Sequence, residues 1–191
     1  MQIKPLKLSG TYEIILEPRS DERGYFMRVY DEATFQENGL TTAWVQENQS
    51  FSKQGVIRGL HFQKPPHAET KLVRVVSGKI LDVFVDLRKS SSTYGQWDSL
   101  ELSEDNYKVV YIPKGFAHGF CALTETALVL YKVDEVYHPE SEGSLRWNDE
   151  TLAIQWSIDN PFISPKDAQG ESFHDFVSPF IEKEEVNENR K

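Results

Sequence analysis

Apolar and polar residues alternate with period two along much of this chain. In "KILDVFVDLR" the residues Leu81, Val83, Val85 and Leu87 fall on one face and Asp82, Phe84 and Asp86 on the other, the pattern of a half-buried or barrel-lining strand. Similar short runs recur in "TYEIILEP", "AWVQENQSF", "KLVRVVSG", "YKVVYIPKG" and "ALVLYKVDEVY", separated by Gly, Pro, Ser and Asn clusters that make turns. Short strands punctuated in this way predict an all-β sandwich or barrel. Helical signals are few: "DEATFQENG", with Asp31 as N-cap and Gly39 just past the end, and a turn or two after Asn148 in "WNDETLAI". No internal repeat and no linker interrupts the pattern, so residues 1–180 read as one domain. The charged end, 181–191, is nearly free of apolar residues and reads as a disordered tail.

Composition narrows the function. The chain has 191 residues, 39% of them hydrophobic, enough to bury one good core. A net charge of −9 repels phosphate backbones and anionic lipid, so nucleic acid is not an expected partner. No apolar run reaches the length that a signal peptide or a membrane helix requires, which makes the cytoplasm the default compartment. The single cysteine, Cys121, cannot form an internal disulfide, and its place after "HGF" in an apolar run marks it as a buried core thiol.

Candidate chemistry concentrates in "QENQSFSKQGVIRGLHFQKPP", which loads Gln46, Asn48, Arg58, His61 and Gln63 onto strand-like segments. An isolated strand histidine is ordinarily a satisfied polar residue, but His61 is followed by His67, Glu69 and Lys71, and "IPKGFAHGF" adds His118 after a Pro-Gly turn. Such a set could hold a divalent metal through imidazole and oxygen ligands. Alternatively, a histidine could take a proton from a carbon acid while Arg and Lys stabilise the oxyanion that forms. Spacing weighs against the metal. Metal-binding cupin barrels usually open their ligand set with a tight H-x-H pair, whereas here Phe62 and Gln63 follow His61 and a Pro-Pro bend precedes His67. Arg58 and Lys71 add positive charge that suits an enolate or a diphosphate better than a cation.

Together "QENQSFSKQGVIRGLHFQ", "KLVRVVSGKILDVFVDLRKSSSTYGQW", "IPKGFAHGF", "LYKVDEVYHPESEGSLRWND" and "ISPKDA" resemble the dTDP-4-dehydrorhamnose 3,5-epimerase family, over roughly Glu17 to Ala168. The resemblance implies an all-β, cupin-type jelly-roll barrel with a few short helices. It also implies a homodimer that uses no metal or other cofactor and acts on a nucleotide-diphosphate sugar. By the same resemblance His61 is the general base, Asp167 the carboxylate paired with it, Tyr131 the acid on the opposite face, and Lys71 the cation beside the enolate oxygen. Arg23, Phe26, Gln46, Asn48, Arg58, Lys71, His118, Glu142 and Lys166 correspond to substrate-binding positions; Gln63 has no assigned role. An imidazole base works near neutral pH, and a buried acid behind it would set its tautomer.

One position departs from the family pattern. In "RGYFMRVY" Arg28 stands where the family usually has a glutamate, which reverses a charge at an expected binding position. The departure bears on the substrate more than on the reaction. It leaves open a CDP-linked sugar or inversion at C3 alone. A metal-dependent cupin using His61, His67, Glu69 and His118 is the alternative from another enzyme class, and a non-catalytic sugar-nucleotide binding protein the third.

Overall fold

The period-two segments pair into two facing sheets in the computed structural model, which describes residues 1–181. The first strands are β1 (Gln2–Pro5), β2 (Tyr12–Ile15), β3 (Arg19–Asp21) and β4 (Gly24–Phe26), followed by helix α1 (Glu32–Glu37). Then come β5 (Gln46–Lys53), β6 (Val56–Gln63), β7 (Lys71–Ser77), β8 (Lys79–Asp86), β9 (Trp97–Ser103) and β10 (Lys108–Ile112). The chain continues through β11 (Phe116–Ala122), β12 (Thr126–Val133), β13 (Glu142–Ser144), β14 (Phe162–Ile163) and helix α2 (Pro165–Ala168).

One sheet runs β1-β2-β10-β7-β12-β5 and the other β13-β6-β11-β8-β9, with β14 added alongside β6. Every pairing is antiparallel except that of β14. The ladders leave β1 and β5 as edges, so the jelly roll is a two-sheet sandwich rather than a ring of continuous pairing. Between the sheets lie Val73, Ile80, Phe84, Val110, Ile112 and Val129.

Strand β8 is more deeply placed than its alternation suggested. Val83, Val85 and Leu87 do not face water but pack under the C-terminal segment, against Leu145, Trp156, Phe176 and Phe180. The opposite sheet is covered in the same way by Phe35 of α1 and by Leu40. Cys121 is buried among these groups, and desolvation pushes its thiol up to about 11, which keeps it a protonated core residue.

Helix α1 has the caps its sequence predicts: the Asp31 side chain accepts from Thr34 N, and Gly39 follows with φ +68°. The helical turn expected after Asn148 is instead a run of turns. The buried Asp149 carboxylate accepts from the N–H groups of Thr151 and Leu152, at 3.0 Å each, and of Phe173 at 2.8 Å. An aspartate used in this way competes with helix formation. Of the tail expected at 181–191, residues 182–191 lie outside the described residues. No helix among the described residues is long and apolar enough to cross a membrane.

Arg58 and His61 are three residues apart, an odd spacing that a regular strand divides between its two faces. Their partners on β11, Phe120 and His118, are only two apart. Strand β6 therefore carries one extra residue, a β-bulge at Gly59 and Leu60 that brings Arg58 and His61 to the same inner face while Ile57, Leu60 and Phe62 pack outward. Position 59 requires glycine. Its φ is +127°, and a Cβ there would stand 2.5 Å from Gly119 Cα and 2.8 Å from the His118 carbonyl oxygen.

Candidate active site

The bulge positions more than two side chains. Strand β14 runs parallel to β6, with Phe162 and Ile163 beside Val56 and Ile57, so the chain leaving it enters α2 next to the bulge. Ser164 caps that helix by accepting from Asp167 N at 3.1 Å, Pro165 occupies its first turn, and one turn later the Asp167 carboxylate faces β6. One of its oxygens lies 2.7 Å from His61 Nε2 and the other accepts from the Gly59 N–H at 3.3 Å. The Asp167 side chain is 6% exposed and that of His61 32%, so the acid sits behind the base and the imidazole reaches the opening.

Burial alone would raise the Asp167 carboxyl, but the hydrogen bond and charge of His61, helped by the Gly59 N–H, more than offset it and hold the carboxyl below its usual range. An ionised Asp167 accepts a hydrogen bond from the Nε2–H, which leaves the lone pair of neutral His61 on Nδ1.

The site is a cavity of about 320 Å³ between the sheets. His61, Asp167, Tyr131 and Lys71, all singled out from the sequence, line it together with Arg58, His118 and Lys166. Tyr131 comes from β12 in register with Asn48 of β5 and Val73 of β7. Its neighbours Val129 and Val133 are buried on the same face, as the alternation predicted. Lys71 is buried, and its Nζ lies 3.2 Å from Glu69 Oε1. Arg58 reaches across to β5, donating to Ser52 Oγ at 3.0 Å and to the Phe51 carbonyl at 3.2 Å. Gln46, Asn48 and Ser50 follow one another at period two on β5, and Ser50 lines the cavity.

At the mouth Lys166 Nζ donates to both Glu142 oxygens, at 2.7 and 2.8 Å. Burial would raise Glu142, yet Lys166 and the Tyr137 hydroxyl hold it below the carboxylate range, while the bond to Glu142 raises Lys166.

Sequence reasoning missed two partners. Asp82, wholly buried on β8, lies with Oδ2 2.8 Å from His118 Nε2, so a second His–Asp pair stands across the ladder from the first. Burial pushes the Asp82 carboxyl up, against the pull of His118 and Lys71, and its Oδ1 has no partner among the described residues. The signal was present in "LDVFVDL": two acids, Asp82 and Asp86, flank Phe84 on one strand face. Tyr137 is the other; its N–H donates to Gln46 Oε1 and its hydroxyl to Glu142. Neither bond could be read from spacing.

Three predicted binding residues are not at this cavity within one chain. Arg23 and Phe26 belong to the exposed β3–β4 hairpin, where Arg23 pairs with Asp21 and Phe26 is 69% exposed. Arg28 pairs with Asp31 at 3.1 Å, beside Glu17 and Arg19 on a separate cleft. The metal-ligand set His61, His67, Glu69 and His118 does not converge either: His61 is engaged by Asp167, His118 by Asp82 and Glu69 by Lys71, while His67 stacks on His138.

Known proteins share this sequence pattern and fold. The chain is 50% identical over 167 residues to the dTDP-4-dehydrorhamnose 3,5-epimerase of Methanothermobacter thermautotrophicus, covering 85% of this chain and 90% of that one. The crystal structure of dTDP-4-dehydrorhamnose 3,5-epimerase from Elizabethkingia anophelis superposes with a TM-score of 0.88 at 45% identity, covering 92% of this chain and 97% of the other. A dTDP-6-deoxy-D-glucose-3,5-epimerase from Legionella pneumophila, solved in complex with dTDP-4-keto-L-rhamnose, gives a TM-score of 0.89 at 39% identity, with 94% and 96% covered. Nothing in these comparisons favours a metal-dependent cupin. Residues 5–175 match the family profile described as dTDP-4-dehydrorhamnose 3,5-epimerase, and the chain belongs to that family.

Proposed function

We propose that this chain is an isomerase that inverts C3 and C5 of dTDP-4-dehydro-6-deoxy-D-glucose to give dTDP-4-dehydro-L-rhamnose, a step in deoxysugar precursor biosynthesis. The observation that carries the reading is the convergence of the His61–Asp167 pair, Tyr131 and Lys71 on one cavity in a member of this family. A C4 ketone makes the hydrogens on its neighbouring carbons acidic, and the ketone itself takes up the electron pair, so the chemistry calls for no cofactor. His61 removes the proton, and the ionised Asp167 stabilises the imidazolium that forms. Lys71, held by Glu69, offers its charge to the enolate oxygen. Tyr131 returns a proton on the other face, which inverts the centre.

Arg58 and Lys166 grip the diphosphate, so local cations overcome an acidic protein surface. Gln46 and Asn48, on the cavity side of β5, add polar contacts, as does His118 oriented by Asp82. The protein acts in the cytoplasm, a compartment that a chain with one cysteine suits.

The reading includes a homodimer. An exposed hairpin that presents Tyr25 and Phe26 to water is unusual without a partner, and edge strand β5 exposes Phe51 beside the cavity. A second copy that brings Arg23, Phe26 and Arg28 to this cavity reconciles their expected role with their distance from it. Mixing His61→Asn chains with Phe26→Ala chains tests this: a hairpin acting in trans restores one working site per mixed dimer, and one acting in cis restores none. The reaction itself is tested by incubation with the dTDP-4-keto sugar in D₂O. Deuterium entering at both C3 and C5 with inversion supports the assignment, and exchange at C3 alone would make the chain a 3-epimerase.

A further inference from the structure

We propose that His67, Glu135 and His138 form a divalent metal site of the zinc type at the rim of the cavity, apart from the proton-transfer residues. His67 comes from the loop between β6 and β7, and Glu135 and His138 from the loop between β12 and β13. One donor atom from each of the three lies within 4.8 Å of the others. The two imidazoles are stacked, with centroids 3.4 Å apart and planes 19° apart, and His67 Nδ1 lies 4.0 Å from Glu135 Oε1. Two imidazole nitrogens and a carboxylate oxygen are the donors that zinc and its borderline neighbours take.

The backbone behind these donors is held by one buried residue, Gln63, which had no role in the sequence reading. Its Nε2 donates to the carbonyls of His67 and Val136, both at 3.0 Å, and its Oε1 accepts from His138 N at 2.6 Å. A single amide thus fixes the backbone of both histidines and of the residue next to Glu135. Bound zinc stands about 2.0–2.2 Å from such donors, which places them roughly 3.3 Å from one another. The donors must therefore close by up to about 1.5 Å, and the three side chains, each about 30% exposed, have room to rotate. Glu140 Oε1, 3.9 Å from His138 Nδ1, supplies a fourth oxygen or leaves that position to water.

A metal here adds a clip between two loops already joined through Gln63 and by the bonds of Thr70 N to Asp134 Oδ1 at 2.6 Å and Lys64 N to the Ser141 carbonyl at 2.7 Å, and the second loop carries Tyr137 to the cavity mouth. None of the three donors lines the cavity that holds His61 and Lys71. The site accordingly steadies the rim and takes no part in the proton transfers.

Zinc titrated into chelator-stripped full-length protein tests the proposal, with binding followed by calorimetry and stability by thermal unfolding. One equivalent per chain is expected to bind and to raise the unfolding midpoint. His67→Gln and His138→Gln should each weaken binding about tenfold or more, and Glu135→Gln provides a further variant should either fail to fold. His61→Asn should keep the full equivalent. The proposal is overturned by an absence of saturable binding, by affinity that the rim substitutions leave unchanged, or by loss of the equivalent in His61→Asn. Epimerase activity that disappears on stripping and returns with zinc would equally overturn the separation from catalysis.

Discussion

Replacing Asp167 by Asn isolates what the acid behind His61 does. The side chain is almost isosteric and 6% exposed, so packing is retained and the change is one of charge and hydrogen bonding. The carboxylate takes part in a 2.7 Å bond with His61 Nε2 and accepts a weaker one, at 3.3 Å, from the Gly59 N–H. A hydrogen bond to a charged group contributes about 1.5–3 kcal/mol, against about 1 kcal/mol for a neutral one. Asp167→Asn is therefore expected to destabilise the fold by about 1–2 kcal/mol, a fall of roughly 4 °C in Tm for a chain of this size.

The catalytic effect is larger. An amide that turns its NH₂ toward Nε2 demands the tautomer with the proton on Nδ1, which removes the base, and an amide that turns its oxygen there no longer stabilises imidazolium. We expect kcat to fall by about 10²–10⁴-fold, with KM changed by no more than about threefold because the acid stands behind the imidazole. Ionised Asp167 binds its proton less tightly in the native than in the unfolded chain. Its contribution is thus present above the ordinary aspartate range and lost as pH falls through the lowered native value. The stability gap between wild type and variant should accordingly be present at neutral pH and narrow as pH falls below about 4. Steady-state kinetics and thermal unfolding across that range decide it. A variant with kcat within about threefold of wild type would refute the dependence of His61 on Asp167.

Tyr131→Phe keeps the wall of the cavity and removes the proton donor; deuterium should still wash into the substrate while net inversion, read by NMR, falls sharply, and normal inversion at both carbons would remove Tyr131 from the mechanism. Gly59→Ala forces a Cβ onto Gly119 and into a positive-φ conformation, with an expected cost of about 3 kcal/mol and loss of activity from a displaced His61; a thermal midpoint like that of wild type would contradict the bulge. Arg28→Glu breaks only an exposed pair with Asp31, so stability should change by less than about 1 kcal/mol. If the hairpin acts in trans, the ratio of kcat/KM for dTDP and CDP sugars should move by about 1–3 kcal/mol; an unchanged ratio would leave Arg28 on the surface.

Much of this protein was legible before folding was considered. Alternation in "KILDVFVDLR" and "ALVLYKV" specifies strands and the face each residue shares, because successive side chains point to opposite sides of a pleated backbone. That rule put Tyr131 beside Val129 and Val133. Likewise, Asp31 and Gly39 announced the ends of α1 through local hydrogen bonds and a local φ, and those reach no further than four residues. Identities in "RGLH", "LYK" and "PKDA" carried the family resemblance and with it the reactive groups. What local rules could not supply was any contact across the sheets. His61 and Asp167 are 106 residues apart and meet only because β14 lies parallel to β6. The odd spacing of Arg58 and His61 becomes one face only through a bulge defined by pairing with β11. Asp82 reads as an ordinary strand acid until the second sheet buries it against His118, and burial and partner choice belong to the packed structure. Tertiary structure likewise separated the hairpin of Arg23 and Phe26 from the cavity, because where a loop lies relative to a distant site depends on the whole path of the chain between them.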